Sequence, residues 1–339
     1  MSTGPQMFIM PCFSFRQIVF NSKSEVSVPS YDHAKVWLNG EVVPPEEAKI
    51  SVFSQAVLRG SSVYEGIRAY WSEERNNLFL WKMDPHIRRL FDSMRVMRMT
   101  PPYTAEEFKD AVVEWIRANE FKEDLHFRLN VYFDDSGPLD MKGYAADEVD
   151  TCVFISGGPN SNRKRQEGGV NLCVSSWRRI SDDSVPPRVK ASANYQNGRL
   201  AGVEARINGY DDALLLNQNG TVAEGTGTCI MIIREGKLIT PPVTDSILES
   251  ITRDSVIEMF GRHIGPEPVE RPVDRTEIYV ADEAMICGSA AEVAPVLSLD
   301  RIEVGDGKPG KLTRRLQEIF YAAARGVDET YEKDILPVY

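Results

Sequence analysis

The chain has 339 residues, with 39 Lys and Arg against 50 Asp and Glu, a formal charge of −11. Hydrophobic residues make up 42% and charged ones 26%, the balance of a globular chain of one large or two modest domains, which argues against disorder and collagen-like repeats. So large an acidic excess argues against non-specific nucleic-acid binding, which draws on Lys and Arg for phosphate contact. No run of about 18 apolar residues is present to span a membrane.

Residues 1–33 open without a basic region or a long apolar run, so they are expected as an N-terminal extension rather than a cleaved secretory signal. Ordered patterning begins at Lys35. Val36-Trp37-Leu38 reads as a strand, Asn39-Gly40 as a tight turn, and Val42-Val43 as the returning strand. Two more strands are expected at 67–71 and 78–82. From Pro85, the apolar residues Ile87, Leu90, Met94 and Met97 recur at helical spacing, and Pro101-Pro102 ends the pattern. Thr104 and Glu107 form a capping-box pair ahead of an amphipathic helix carrying Phe108, Val112, Trp115 and Ile116. Strands follow at 126–133 and 150–156.

The segment 157–169 holds four Gly and one Pro and few apolar residues. Residues 158–169 are therefore expected to link a first domain, 34–157, to a second, 170–339. In the second, strands are expected near 171–177, 212–217, 221–223, 229–233 and 238–239. Helices are expected near 194–208, 248–262, 275–281 and 309–325. Strands and helices mix without regular βαβ alternation, which fits an α+β fold in two parts better than a doubly wound sheet.

The five cysteines, Cys12, Cys152, Cys173, Cys229 and Cys287, are odd in number and contain no CxxC. They read as reduced thiols in a cytoplasmic protein. The histidines His33, His86, His126 and His263 lack metal-ligand spacing, so no metal is expected.

Four polar groups lie in small-residue turns. Lys190 precedes Ala-Ser-Ala-Asn-Tyr195; a desolvated lysine there has a lowered pKa and can attack a carbonyl, while a surface lysine at a helix start has the same spacing. Glu224 sits in Val222-Ala-Glu-Gly-Thr-Gly-Thr228, where a buried carboxylate needs a positive partner and an exposed hairpin acid needs none. Ser250-Ile251-Thr252-Arg253 opens a helix, whose first N–H groups suit either phosphate or a simple cap. Gly288-Ser289-Ala290-Ala291 follows a strand and admits either a ligand or close packing.

The order of these segments resembles the class IV, pyridoxal-phosphate-dependent aminotransferases. The resemblance rests on Lys190 to Tyr195, Gly209 to Leu214, Ala223 to Gly227, Ile251 to Asp254 and Gly288 to Glu292. Ser62 to Arg68 and His86 to Leu90 match upstream. It covers residues 35–325 and is nearest the branched-chain branch. It implies a two-domain α+β enzyme of fold type IV, like D-amino acid aminotransferase, with pyridoxal 5′-phosphate between the domains and a homodimer partner's loop closing the site. It further implies ping-pong transfer from a hydrophobic, branched-chain-like L-amino acid to a 2-oxo acid such as 2-oxoglutarate. Lys190 would form the Schiff base and carry the proton; Glu224 would face the pyridine nitrogen and Tyr195 the phenolic oxygen. Arg89, Ile251, Thr252 and Ser289 would hold the phosphate.

For the substrate, the resemblance points to Arg59, Tyr64, His126, Arg128, Ser289 and Ala290. Here the chain departs from the branch. Its usual Tyr-x-Arg is His126-Phe127-Arg128, a second tyrosine is Arg59, and the glycine usual before Ile251 is Ser250. Arg59 either receives a second or displaced carboxylate or lies solvated on the rim. An (R)-selective amine transaminase or D-amino acid aminotransferase is the alternative on the same fold. A cofactor-free binding protein is the alternative from another class.

Overall fold

The computed structural model describes residues 34–134, 149–160 and 163–339, so the expected extension 1–33 lies outside them. β1 (Val36–Leu38) and β2 (Glu41–Val43) form a hairpin, with Asn39 and Gly40 both at positive φ in the turn. The short helix α1 (Gln55–Arg59) starts where the Ser54 hydroxyl accepts from the Ala56 N–H, and stops at Gly60 in the left-handed region.

β3 (Ser62–Ser72) follows and begins earlier than the apolar run at 67–71 indicates. All of it but Trp71 is buried, including Ser62, Glu65 and Arg68, so no polar–apolar alternation marks its first half. β4 (Asn77–Trp81), α2 (Met83–Val96) and α3 (Ala105–Ala118) come next. Ile87, Leu90 and Met94 are buried as their spacing predicts, and the Thr104–Glu107 capping box forms in full. β5 (Leu125–Phe133) and β6 (Thr151–Pro159) run antiparallel across nine paired positions. The 158–169 segment, expected as a linker, holds the last two residues of β6 and a short helix, α4 (Arg163–Gly168).

The rest of the chain supplies β7 (Val170–Arg178), α5 (Tyr195–Ile207), β8 (Asp212–Leu216), β9 (Val222–Gly225), β10 (Cys229–Arg234) and β11 (Lys237–Thr240). Then come α6 (Ile251–His263), β12 (Val269–Glu270), α7 (Arg275–Tyr279), β13 (Glu283–Gly288), β14 (Glu292–Leu299) and β15 (Ile302–Glu303). Last are α8 (Lys311–Ala324) and β16 (Ile335–Pro337).

Two sheets result. The first has the order β16-β4-β3-β5-β6-β1-β2; the second runs β12-β11-β10-β13-β14-β7-β8-β9, with β15 beside β14. The last strand of residues 170–339 belongs to the first sheet. β16 leaves the second sheet's region and pairs antiparallel with β4, Ile335 opposite Trp81. Three residues with a proline carry too little pattern to reveal that partner.

One core lies under the first sheet, where Phe108, Val112, Trp115 and Ile116 of α3 and Leu90 of α2 meet Ile67, Phe127 and Leu129. Another joins the two sheets. Tyr70, Phe79 and Trp81 pack with Phe260 of α6, Phe320 of α8 and Met231 of β10, and Trp81 and Phe320 meet edge to face at 5.7 Å. That shared core fixes one sheet against the other and so fixes the cleft between them.

Candidate active site

The cleft between the sheets is lined from both sides. Tyr64, Gly66, His126 and Arg128 come from the first sheet; Arg179, Lys190, Tyr195, Glu224, Thr228, Ser250, Ser289 and Ala290 come from the second half of the chain; Arg89 reaches in from α2. Most of the residues indicated by the sequence thus converge. Ile251 and Thr252 sit just behind Ser250, buried at the head of α6. Arg59 is the exception. It is exposed at the end of α1, donates to the Gln55 side chain at 2.6 Å, and is not among the cleft-lining residues.

Lys190 is held by its backbone. Its carbonyl accepts from the Tyr64 N–H at 3.0 Å, its N–H donates to the Ser93 hydroxyl at 3.3 Å, and the next residue, Ala191, bridges to Val63. The lysine is thereby stitched to β3 although it lies far along the chain. Its Nζ donates to the Tyr195 hydroxyl at 2.7 Å and stands 4.9 Å from the Tyr64 ring centre. Burial lowers its pKa below the usual lysine value, with a further push from the nearby Arg89 charge. A larger share of neutral, nucleophilic amine results.

Glu224 and Arg179 form a buried ion pair, Nη2 to Oε1 at 2.7 Å, and the Leu248 N–H donates to the other oxygen at 3.1 Å. Burial raises the carboxyl pKa; Arg179 and that amide oppose the rise. Arg179 itself donates Nε–H to the Ser246 carbonyl, which sets its direction.

At another corner, Glu65 is fully buried. Arg89 grips it with Nε at 2.9 Å and Nη2 at 2.6 Å, and His86 Nδ1 lies 2.7 Å away. Burial pushes the Glu65 carboxyl up, but the Arg89 charge and these hydrogen bonds outweigh it and bring it to about 2. Glu65 locks the Arg89 fork, and the remaining Nη1 donates to the Glu249 carbonyl beside the start of α6.

The cleft's polar inventory fits a phosphorylated pyridine aldehyde. Thr228 carries a buried hydroxyl with no partner among the described residues, and it lines the same cleft as Ser250 and Arg89. In α6 the Ser250 hydroxyl caps the Arg253 N–H and the Ser250 carbonyl takes the Asp254 N–H, so the Ile251 and Thr252 amides stand at the helix head, where the dipole favours an anion. The Glu224 carboxylate with its Arg179 partner, a lysine and a tyrosine hydroxyl complete a set suited to ring nitrogen, aldehyde and phenolic oxygen. Among the described residues no group of three His, Cys, Asp or Glu side chains could hold a metal ion.

His126 has an unusual setting. It lies on β5 opposite Arg68, near Arg128, Lys190 and His86, and burial with these positive charges drives its pKa down to about 3. Its ring is therefore expected as the neutral imidazole near neutral pH. We expect ¹⁵N NMR of its ring to show no titration between pH 5 and pH 8; a protonation step in that interval would remove the argument. Arg128 lies 4.6 Å over the Tyr64 ring, a cation–π contact at the cleft mouth.

Sequence reasoning missed Arg179, Thr228 and the roles of Glu65 and Arg68. Buried charges at 65 and 68 inside a strand were the available signal, since such groups require partners.

With this geometry in view, the wider comparisons are specific. A family model described as amino-transferase class IV matches residues 62–299. A probable branched-chain-amino-acid aminotransferase of Aquifex aeolicus is 40% identical over 303 residues, covering 89% of this chain and 96% of that protein. The branched-chain-amino-acid aminotransferase of Escherichia coli K12 is 35% identical over 87% of this chain and 94% of its own. The crystal structure of the Thermobaculum terrenum branched-chain enzyme in its pyridoxal-phosphate form superposes with a TM-score of 0.84 at 39% identity, over 91% of this chain and 99% of that one. The chain belongs to the class IV aminotransferase family. It is an aminotransferase of fold type IV, and pyridoxal 5′-phosphate is its cofactor.

Proposed function

We propose that the chain moves the amino group of a branched-chain or similar hydrophobic L-amino acid to a 2-oxo acid such as 2-oxoglutarate, by ping-pong chemistry. The carrying observation is the buried, pKa-lowered Lys190 amine facing the Tyr195 hydroxyl, with the Glu224–Arg179 pair and Arg89 in the same cleft. The substrate class rests on the branched-chain relatives, which match nearly the whole chain.

When bound, pyridoxal phosphate supplies an aldehyde that condenses with amines and a ring that absorbs electrons. Lys190 would be the amine that holds the cofactor, and the same Nζ is placed to move a proton to and from the substrate Cα. Glu224 would keep a proton at the pyridine nitrogen, and the Tyr195 hydroxyl would face the phenolic oxygen. Arg89, the α6 head and the Ser289 and Thr228 hydroxyls would hold the phosphate. Ser289 and Ala290 receive the substrate carboxylate, with Tyr64, His126 and Arg128 around it. The test is an absorption titration of the loaded protein with L-leucine, D-alanine and (R)-1-phenylethylamine in separate samples. L-leucine alone is expected to bleach the visible band of the loaded protein; bleaching by either of the others instead would overturn the substrate class.

We also infer a homodimer in the cytoplasm. Ile50, Val52, Phe53, Val57 and Leu58 form an exposed apolar stretch in and before α1, which runs straight into the cleft-lining β3. Monomeric proteins seldom leave such a patch in water, and a second copy would cover it next to the site. Light scattering is expected to give twice the chain mass, and Phe53→Glu to shift the equilibrium towards monomer. An unshifted Phe53→Glu dimer would place the interface elsewhere. The buried thiols Cys173, Cys229 and Cys287 suit a reducing compartment, and no helix among the described residues is long and apolar enough to cross a membrane.

A further inference from the structure

The turn between β13 and β14 separates two cavities. On one side is the cleft, which Ser289 and Ala290 line. On the other is a second, polar cavity lined by Arg68, Gln166, Glu292, Tyr321 and Arg325. Arg68 comes from β3 of the first sheet and is almost fully buried. Its Nε donates to the Ser289 carbonyl at 2.8 Å and its Nη2 to the Ala290 carbonyl at 3.1 Å, while Nη1 donates to the Asn160 carbonyl at 3.0 Å. One guanidinium thus binds three backbone oxygens, two in the turn and one where the chain crosses between the sheets.

Peptide planarity turns this into a statement about the cleft. No peptide bond among the described residues is cis, so in this turn each N–H points opposite to the carbonyl of the same plane. With the Ser289 and Ala290 carbonyls turned to Arg68, the N–H groups of Ala290 and Ala291 point the other way, towards the cleft. Two successive amides aimed at one place form an anion-receiving concavity. The turn is held at its exit as well. Glu292 has positive φ, lies 3.6 Å from Arg68, and its carboxylate accepts from the Gln166 amide of α4 and from the Tyr321 hydroxyl. The buried cation therefore has its counter-charge in place, and the crossing segment is tied to the same turn.

We propose that Arg68 is a positioning residue for the substrate carboxylate: by taking the Ser289 and Ala290 carbonyls from behind, it aims the amides of that turn into the cleft without touching the ligand. The inference rests on the reading above that this turn receives the carboxylate. It distinguishes Arg68 from Arg128, which faces the cleft directly.

The test uses the cofactor-loaded protein and 4-methylvaleric acid, an amine-free carboxylate, with binding measured by calorimetry and cofactor affinity by absorption. Arg68→Gln alone leaves Glu292 buried without its cation and can fail to fold, so Arg68→Gln combined with Glu292→Gln, and Arg68→Lys, are measured beside it. The double variant is expected to bind the carboxylate about tenfold or more weakly while cofactor affinity changes less than about threefold. Unchanged carboxylate affinity overturns the proposal. Equal losses of carboxylate and cofactor affinity also overturn it, since they mark a merely structural residue. If the unaltered protein takes up cofactor but transfers no amino group, the reading of the previous section fails first and carries this one with it.

Discussion

Replacing Lys190 with Ala is expected to leave a folded protein that still takes up cofactor, with turnover lower by at least about 10⁴-fold, as expected when one group is both nucleophile and proton carrier. The side chain beyond Cβ makes one hydrogen bond, to Tyr195, and lines a cleft, so its loss opens no cavity inside either sheet. The backbone bonds that stitch residue 190 to Tyr64 and Ser93 survive the substitution. Thermal unfolding should therefore move little. Single-turnover assays with L-leucine check the prediction, and appreciable transamination by this variant would sink the assignment of Lys190. Added small amines provide a second readout: they restore part of the proton transfer if the missing group is the base.

Glu224→Gln is expected to slow proton transfer by about 10²-fold or more, because a neutral amide no longer keeps a proton at the pyridine nitrogen. The substitution also leaves the buried Arg179 facing no carboxylate, and breaking such a pair costs about 3–5 kcal/mol. The two effects separate through Arg179. A combined Arg179→Gln and Glu224→Gln protein should regain much of the stability and none of the rate. Chemical denaturation and the deuterium effect on turnover read the two quantities independently. A Glu224→Gln protein with the normal rate would contradict the role given to this carboxylate.

Local structure was legible wherever pattern and punctuation agreed. The Asn39-Gly40 hairpin and the Thr104–Glu107 capping box are determined by neighbours a few residues apart, and both form as the residues indicate. β3 was half hidden because Ser62, Glu65 and Gly66 interrupt the apolar signal of its first half. The cluster of Lys190, Tyr195, Glu224 and Arg89 emerged only from the order of motifs, since each alone reads equally well as a plain structural feature. Arg179 could not be read at all: its meaning lies in Glu224, 45 residues on and reached through the fold. Arg59 shows the converse. Its position in a familiar motif pointed to the substrate, and the five-residue helix carrying it turns the side chain along its own surface to Gln55.

The strand at Ile335–Pro337 has a consequence for how the molecule is made. β4 lies at the outer side of β3, and its free edge, from Phe79 to Trp81, finds its partner only in those late residues. During synthesis the first sheet emerges early and waits, with one flank unpaired, until residue 335 and its neighbours have left the ribosome. The finished first sheet therefore depends on residues from both ends of the chain. An open flank of this kind invites pairing with a foreign strand, and a nascent chain stalled before that point would present it for as long as the stall lasts.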